Sequence, residues 1–187
     1  AYSSALYLSP GDTLEAAQLE KYRQWGERLQ PAPTDHVLEI GSGWGGLAMH
    51  LARTYGCRVT SITVSEEQRA LASARVAAAG LADRVTIALR DYRHIEGQYQ
   101  RVVSVEMIEA VGQEFWPGFF QAIDRVLAPG GRVGIQAITI PDGRFDRYVG
   151  QADWIQKHIF PGGLLPCLRE ICAVTAAHTR LAVTQVE

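Results

Sequence analysis

Apolar residues along this chain follow two spacings that take turns. In "GDTLEAAQLEKYRQWGERL", Leu14, Ala17, Tyr22, Trp25 and Leu29 lie roughly along one helical face. Asp12, with Glu15 three residues on, reads as an N-cap with its capping box. "QPAP" stops this helix, because proline cannot continue it. Short apolar runs follow and read as strands: "HVLEI", "CRVTSITV", "RVTIALR", "RVVSVEM" and "GRVGIQAITI". Helical spacing returns between them in "GGLAMHLARTYG", "EEQRALASARVAAAG" and a segment through "FWPGFFQAIDRVL". Strands alternating with helices of this length predict right-handed βαβ units around a mostly parallel, doubly wound sheet, an α/β Rossmann-like fold. "APGG" before the last strand reads as a turn.

The pattern breaks from Pro141 to Pro166. "DGRFDRYVGQADWIQKHIFPGGLLP" is aromatic-rich and long for a connection, and long insertions in compact domains are often functional. A helix from Leu168 and a strand-like "RLAVTQV" come next. A doubly wound sheet normally continues with a further strand, so a C-terminal part is expected beyond this chain. One domain is expected over residues 1–187, with an arm and helix over 1–34, a cofactor-binding core over 35–140 and an insert over the acceptor site at 141–166.

Charge narrows the partners. Net charge is −2, without the basic face of a dedicated nucleic-acid binder. Three cysteines occur without a C-x-x-C, so neither a disulfide framework nor a zinc site is expected. The histidines are scattered, without metal-ligand spacing. No apolar run reaches the roughly 20 residues of a membrane span, and no signal-peptide pattern opens the chain. A cytoplasmic protein, with peripheral membrane contact as an option, is the expectation; the oligomeric state is not legible.

The chemistry concentrates in "LEIGSGWGG". Gly41, Gly43 and Gly46 spell the dinucleotide fingerprint G-x-G-x-x-G. That fingerprint needs an Asp or Glu at the tip of the second strand to hold a ribose hydroxyl. Here the tip carries Thr63, Val64 and Ser65. Glu66 and Glu67 fall in the first turn of the next helix, where negative charge is favourable anyway. Ser65 and Gln68 form S-x-x-Q, a second capping-box pattern, so Gln68 is a cap, a ligand contact or both. Glu39, two residues before Gly41, would repel a pyrophosphate and attract a cationic amino group. S-adenosylmethionine carries an α-ammonium and a sulfonium, so the loop reads as its methyltransferase version. "LRDYRHI" adds Asp91, placed to accept from an adenine amino group, and Tyr92, with a flat face to stack on the ring. Asp91 could equally start a turn.

A resemblance then becomes specific. "YSSALY", "LEIGSGWGGLA", "ITVSEEQ", "RDYR", "RVVSVEMIEAVG", "FF" in the following helix and "IFPGGLLP" occur in the order seen in the cyclopropane-fatty-acyl-phospholipid synthase family, which includes the mycolic acid cyclopropane synthases. The chain resembles that family over nearly its whole length. The resemblance implies a class I S-adenosylmethionine-dependent C-methyltransferase acting on the double bond of an unsaturated phospholipid acyl chain. It implies that Tyr2 and Ser3 contact the methionine carboxylate or its neighbours, and that Gly41 and Gly43 let the backbone approach the cofactor. Thr63 and Gln68 would bind ribose, and Tyr92 would lie against adenine. Glu109 would sit in the active site, near a bicarbonate ion held by the positions of Ser4, Gln136 and Ile138. The alkene would attack the sulfonium methyl, bicarbonate would remove a proton from the resulting cation, and the ring would close.

Two positions depart from the family. Ser4 stands where its known synthases have cysteine, and Gln136 where they have histidine. Serine and glutamine still donate hydrogen bonds to an anion, but imidazole's proton-carrying option is lost. The methyl-transfer half of the chemistry is therefore better supported than ring closure, and a methyl-branched product is expected beside or instead of cyclopropane. Two alternatives stand beside this reading, a methyltransferase of a small molecule and an inactive homologue that binds S-adenosylmethionine or lipid. Glu106 reads as structural. Phe115, Trp116, Phe119 and Phe120 read as core, and Pro166-Cys167 as a helix start.

Overall fold

The computed structural model describes residues 3–150 and 163–187. Its order is α1 (Leu14–Leu29), β1 (His36–Ile40), α2 (Gly46–Tyr55), β2 (Arg58–Thr63), α3 (Glu66–Ala78), β3 (Val85–Leu89), β4 (Tyr99–Val105), α4 (Trp116–Val126), β5 (Leu127–Gln136) and α5 (Asp142–Val149), with a further helix at Leu168–His178. The sheet runs β3-β2-β1-β4-β5. β1 pairs parallel with both β2 and β4, and β2 parallel with β3. The expected doubly wound α/β topology is present. The order reverses beside β1, and in such sheets ligands bind outside the strand ends at that switch point.

The chain divides into two compact units. The first comprises Ala1–Val105 and Val126–Ile135; the second comprises Glu106–Arg125 and Gln136–Glu187. The first unit's core joins Leu29, Val37, Leu47, Leu51, Val59 and Val103. β1 is apolar on both faces because helices cover both sides of a parallel sheet. Glu39 is the exception within it, a buried carboxylate between Leu38 and Ile40. In the second unit, Trp116, Phe119 and Phe120 are core as expected, while Phe115 is exposed. The Trp116 indole donates to Ile108 O at 3.2 Å, which joins the start of α4 to the turn before it.

Four local expectations are corrected. Thr13, not Asp12, caps α1 and accepts from Ala16 N. Asp12 instead closes the preceding turn, accepting from the amides of Leu8 and Ser9 at 2.8 and 3.0 Å. The apolar stripe of α1 faces the core except at Leu14, which is exposed: Ala17 and Leu29 are buried, Tyr22 and Trp25 pack on the core, and Gln18, Lys21 and Gly26 are buried as well. "APGG" lies inside β5, with Gly130 at φ 72°, a value glycine adopts without strain. "RLAVTQV" forms no strand; residues 181–187 carry no regular structure. Cys167 caps the helix Leu168–His178, as the Pro166-Cys167 reading expects.

Candidate functional site

The first unit assembles most of the expected cofactor residues at the C-terminal ends of its strands. The amides of Gly41 and Ser42 both donate to Ile62 O, at 3.0 and 2.9 Å, so the glycine loop folds back over the tip of β2. Gly43 has φ 47° and Gly45, which caps α2, has φ 79°. No side chain caps α2. A Cβ on Gly46 would stand 2.4 Å from the Tyr22 hydroxyl, so the third glycine serves helix packing.

Glu39 sits just below this loop. Ser61, opposite it on β2, donates a very short hydrogen bond to Glu39 Oε2. Burial pushes the Glu39 carboxyl from 4.5 up to about 8, against the Ser61 hydrogen bond and the charge of Lys21. A cation arriving beside such a group favours its ionised form, and an ammonium group is such a cation.

At the tip of β2, the Thr63 hydroxyl donates to Gln68 Oε1 at 2.7 Å and accepts from Ser65 N at 3.1 Å. Ser65 caps α3 through Gln68 N at 3.2 Å. The expected capping box is therefore half made: Gln68's side chain goes to Thr63 rather than back to Ser65 N. Thr63 and Gln68 form one polar pair on the tip where a dinucleotide fold would carry an acid. Asp91 caps the single turn Tyr92–His94 and accepts from Arg93 N. Its two oxygens also hold the Arg93 guanidinium at 2.9 and 2.6 Å, which lowers its pKa. The turn-starting role of Asp91 is thus realised. Tyr92 is half-buried.

The N-terminal arm is pinned by two side chains that the sequence reading missed. Gln18 Nε2 donates to Ser3 O at 2.8 Å, and Lys21 Nζ donates to Ser3 Oγ and Ser4 O at 2.7 and 2.6 Å. Tyr2 lies outside the described residues.

The second unit holds the other acid. Glu109 lies on the turn Ile108–Ala110. Its Oε1 accepts from Ile138 N at 2.6 Å, and its carbonyl from Leu164 N at 2.8 Å. Its Oε2 is buried and finds no partner among the described residues. Burial raises its pKa, and the nearby charge of Glu106 adds to the rise, while the Ile138 amide opposes it. Glu106 adopts φ 51°, a strained value for a residue with a Cβ. Gln136 Nε2 donates to Glu106 Oε1 at 2.9 Å, and Glu106 N donates to Gln136 O at 2.8 Å. Glu109 is therefore bonded to Ile138, and Gln136 to Glu106, while Ser4 belongs to the first unit. Among the described residues, no group of three or more His, Cys, Asp or Glu could hold a metal ion, and no helix is long and apolar enough to cross a membrane.

Comparison with known proteins places this geometry. The profile of the family described as mycolic acid cyclopropane synthetase matches residues 1–187. "Tuberculostearic acid methyltransferase UfaA1" of Mycobacterium tuberculosis is 49% identical over 170 residues, 91% of this chain and 40% of that protein. "Cyclopropane-fatty-acyl-phospholipid synthase" of Escherichia coli K12 is 41% identical over 175 residues, 94% of this chain and 44% of that protein. The chain thus spans less than half the length of these two relatives. Among solved structures, mycolic acid cyclopropane synthase CmaA1 complexed with SAH and CTAB matches with TM-score 0.88 and 26% identity, over 100% of this chain and 68% of that one.

Proposed function

The chain belongs to the mycolic acid cyclopropane synthetase family, and from that premise we propose that it is the catalytic part of an S-adenosylmethionine-dependent methyltransferase of unsaturated lipid acyl chains. The observation that carries this is Glu39, a buried and nearly unionised carboxyl set against a glycine loop at the switch point of the sheet. S-adenosylmethionine supplies the electrophilic methyl group when bound. Glu39 takes the ammonium of its methionine end, and Ser3, with Tyr2 beside it in sequence, takes the carboxylate. Gly41 and Gly43 admit the backbone close to the ligand. Thr63 and Gln68 bind the ribose hydroxyls as a pair, and Tyr92 stacks on the adenine while Asp91 accepts from its amino group. Two names support the lipid acceptor: those relatives are called a tuberculostearic acid methyltransferase and a fatty-acyl-phospholipid synthase.

Glu109 is the residue we assign to the proton. Its raised pKa and its orphan Oε2 suit a carboxyl that changes protonation during turnover. The donors that the family resemblance assigns to bicarbonate face carboxylates here: Ile138 N goes to Glu109, and the Gln136 amide to Glu106. A firmly held anion needs several donors converging on it. We therefore infer loosely held or absent bicarbonate, and a methyl-branched, exomethylene or mixed product rather than cyclopropane alone. Peripheral membrane contact fits a phospholipid acceptor.

The test is calorimetry and lipid analysis of the full-length protein. It should bind S-adenosylmethionine and its demethylated product, and not NAD. Cells expressing it with labelled methionine should carry the label in acyl chains one carbon heavier. Binding of NAD, or label confined to small molecules, overturns the reading. Converting Ser4 to Cys and Gln136 to His together should move the product toward cyclopropane; if the unmodified enzyme already makes only cyclopropane, the product inference fails.

A further inference from the structure

The buried face of α1 carries two polar side chains, Gln18 and Lys21, one helical turn apart, at 8% and 6% exposure. A buried ammonium is costly unless it is paired and hydrogen-bonded. Lys21 donates to the Ser3 hydroxyl and the Ser4 carbonyl, and its charge acts on Glu39 of β1. Gln18 holds the same arm by the Ser3 carbonyl, and Leu6 N adds a bond to Ala17 O at 3.1 Å. A neutral latch would suffice for the arm. A charged one at this place does something more.

We propose that Lys21 is a positioning residue for the amino-acid end of the cofactor, tying the Ser3–Ser4 arm to the core and serving as the fixed countercharge of Glu39. The proposal rests on the reading of Glu39 as the ammonium acceptor and of Ser3 as a carboxylate contact. The zwitterionic end of an amino acid presents both charges a few ångströms apart. Lys21 links the two protein groups that would meet them: it bonds to the one and acts electrostatically on the other. Its charge favours the ionised form of Glu39, which is the form able to receive an ammonium group. Among the described residues, other titratable groups also lie around this pair. Tyr22 faces Glu39 from α1, His50 of α2 packs on Tyr22 at 6.1 Å between ring centroids, and Arg75 of α3 acts on Tyr22. β2 presents Ser61 and β4 presents Val103.

Gln18 supplies the comparison that separates latch from charge. The experiment measures S-adenosylhomocysteine binding to the full-length protein by calorimetry at pH 7 and pH 9, for wild type, Lys21→Met, Lys21→Arg and Gln18→Leu. Without Lys21, Glu39 ionises at higher pH; a rise of one unit removes about tenfold of its ionised form at pH 7 and little at pH 9. Lys21→Met should therefore lose several-fold more affinity at pH 7 than at pH 9. Gln18→Leu should lose the same factor at both. Lys21→Arg keeps the charge but alters the reach to Ser3 and Ser4, so it should bind more weakly with the wild-type pH midpoint. That variant carries the test if Lys21→Met does not fold. Equal losses at the two pH values for Lys21→Met, or a displaced midpoint for Lys21→Arg, overturn the proposal while leaving the cofactor assignment intact. Absence of binding by the wild-type protein removes both.

Discussion

Glu39 and Glu109 are both carboxyls pushed up by burial, yet the two regions that carry them are built differently. Glu39 sits in the middle of a parallel sheet, on a strand bonded on both sides. One of its oxygens is held by Ser61, and a buried lysine acts on it. Glu109 sits on a single turn, half-buried, with one oxygen on a backbone amide and the other on nothing described. A strand interior fixes a charge and gives it no room to move. A turn gives a carboxyl an open lone pair and a neighbour of like charge, Glu106, that makes protonation cheap. On the proposed reading, the difference separates a group that binds from a group that reacts.

Substitution at Glu109 tests that separation most severely. Glu109→Gln keeps the size and removes the titration. It should lower turnover on an unsaturated phospholipid by about a hundredfold or more, the low end for a lost acid–base group, and change S-adenosylhomocysteine affinity less than threefold. Near-normal turnover would leave Glu109 a structural carboxyl. Glu39→Ala should show the mirror image, weakening S-adenosylhomocysteine by ~1.5–3 kcal/mol, the range for hydrogen bonds to charged groups. An unaffected Kd would remove Glu39 from the binding site.

The free protein sharpens the same contrast through pH. Glu39's folded pKa, about 8, lies above its ordinary 4.5. The folded state therefore holds a proton that the unfolded state releases, and this contribution is complete below pH 4.5 and is lost as pH rises through 8. Denaturant titrations of wild type and Glu39→Gln should diverge across that window, with the wild type losing stability more steeply toward pH 8. Parallel curves would mean that Glu39 is ionised in the folded protein already.

The strands, the glycine loop and Glu39 were legible because each breaks or keeps a local pattern: a carboxylate inside "VLEI" stands out in any apolar strand. Gln18 and Lys21 were not. On α1 the apolar stripe marks one buried face, and the N-terminal arm packs on the polar positions beside it. Only the arm's path turns a surface-type lysine into a core one, and no helical periodicity carries that path. Glu106 was hidden for another reason. Its φ of 51° and its hydrogen bond to Gln136, 30 residues away, leave no trace in local spacing. The end of the chain misled through composition, since "RLAVTQV" has the β-branched content of a strand without a neighbour to pair with. The resemblance to a known family supplied Glu109 and Ile138, which local spacing alone did not single out.

Asp91 bears on the smallest effect and the finest part of the comparison. Both of its oxygens are already engaged by Arg93, and one also caps its turn. An adenine amino group would have to share a lone pair with that guanidinium at a site open to water, where charge is screened. Asp91 should therefore contribute far less to affinity than Glu39, whose burial removes the competition of solvent. Asp91→Asn keeps one acceptor oxygen for the turn and removes the ion pair. We expect about a threefold loss of S-adenosylhomocysteine affinity, close to the penalty of one exposed polar contact. Calorimetry in low and high salt separates the contributions, because an ion pair's share shrinks with salt and a neutral hydrogen bond's does not. A loss as large as that of Glu39→Ala would mean that the ligand displaces Arg93 and claims Asp91 outright, and the adenine end would then be anchored as firmly as the amino-acid end.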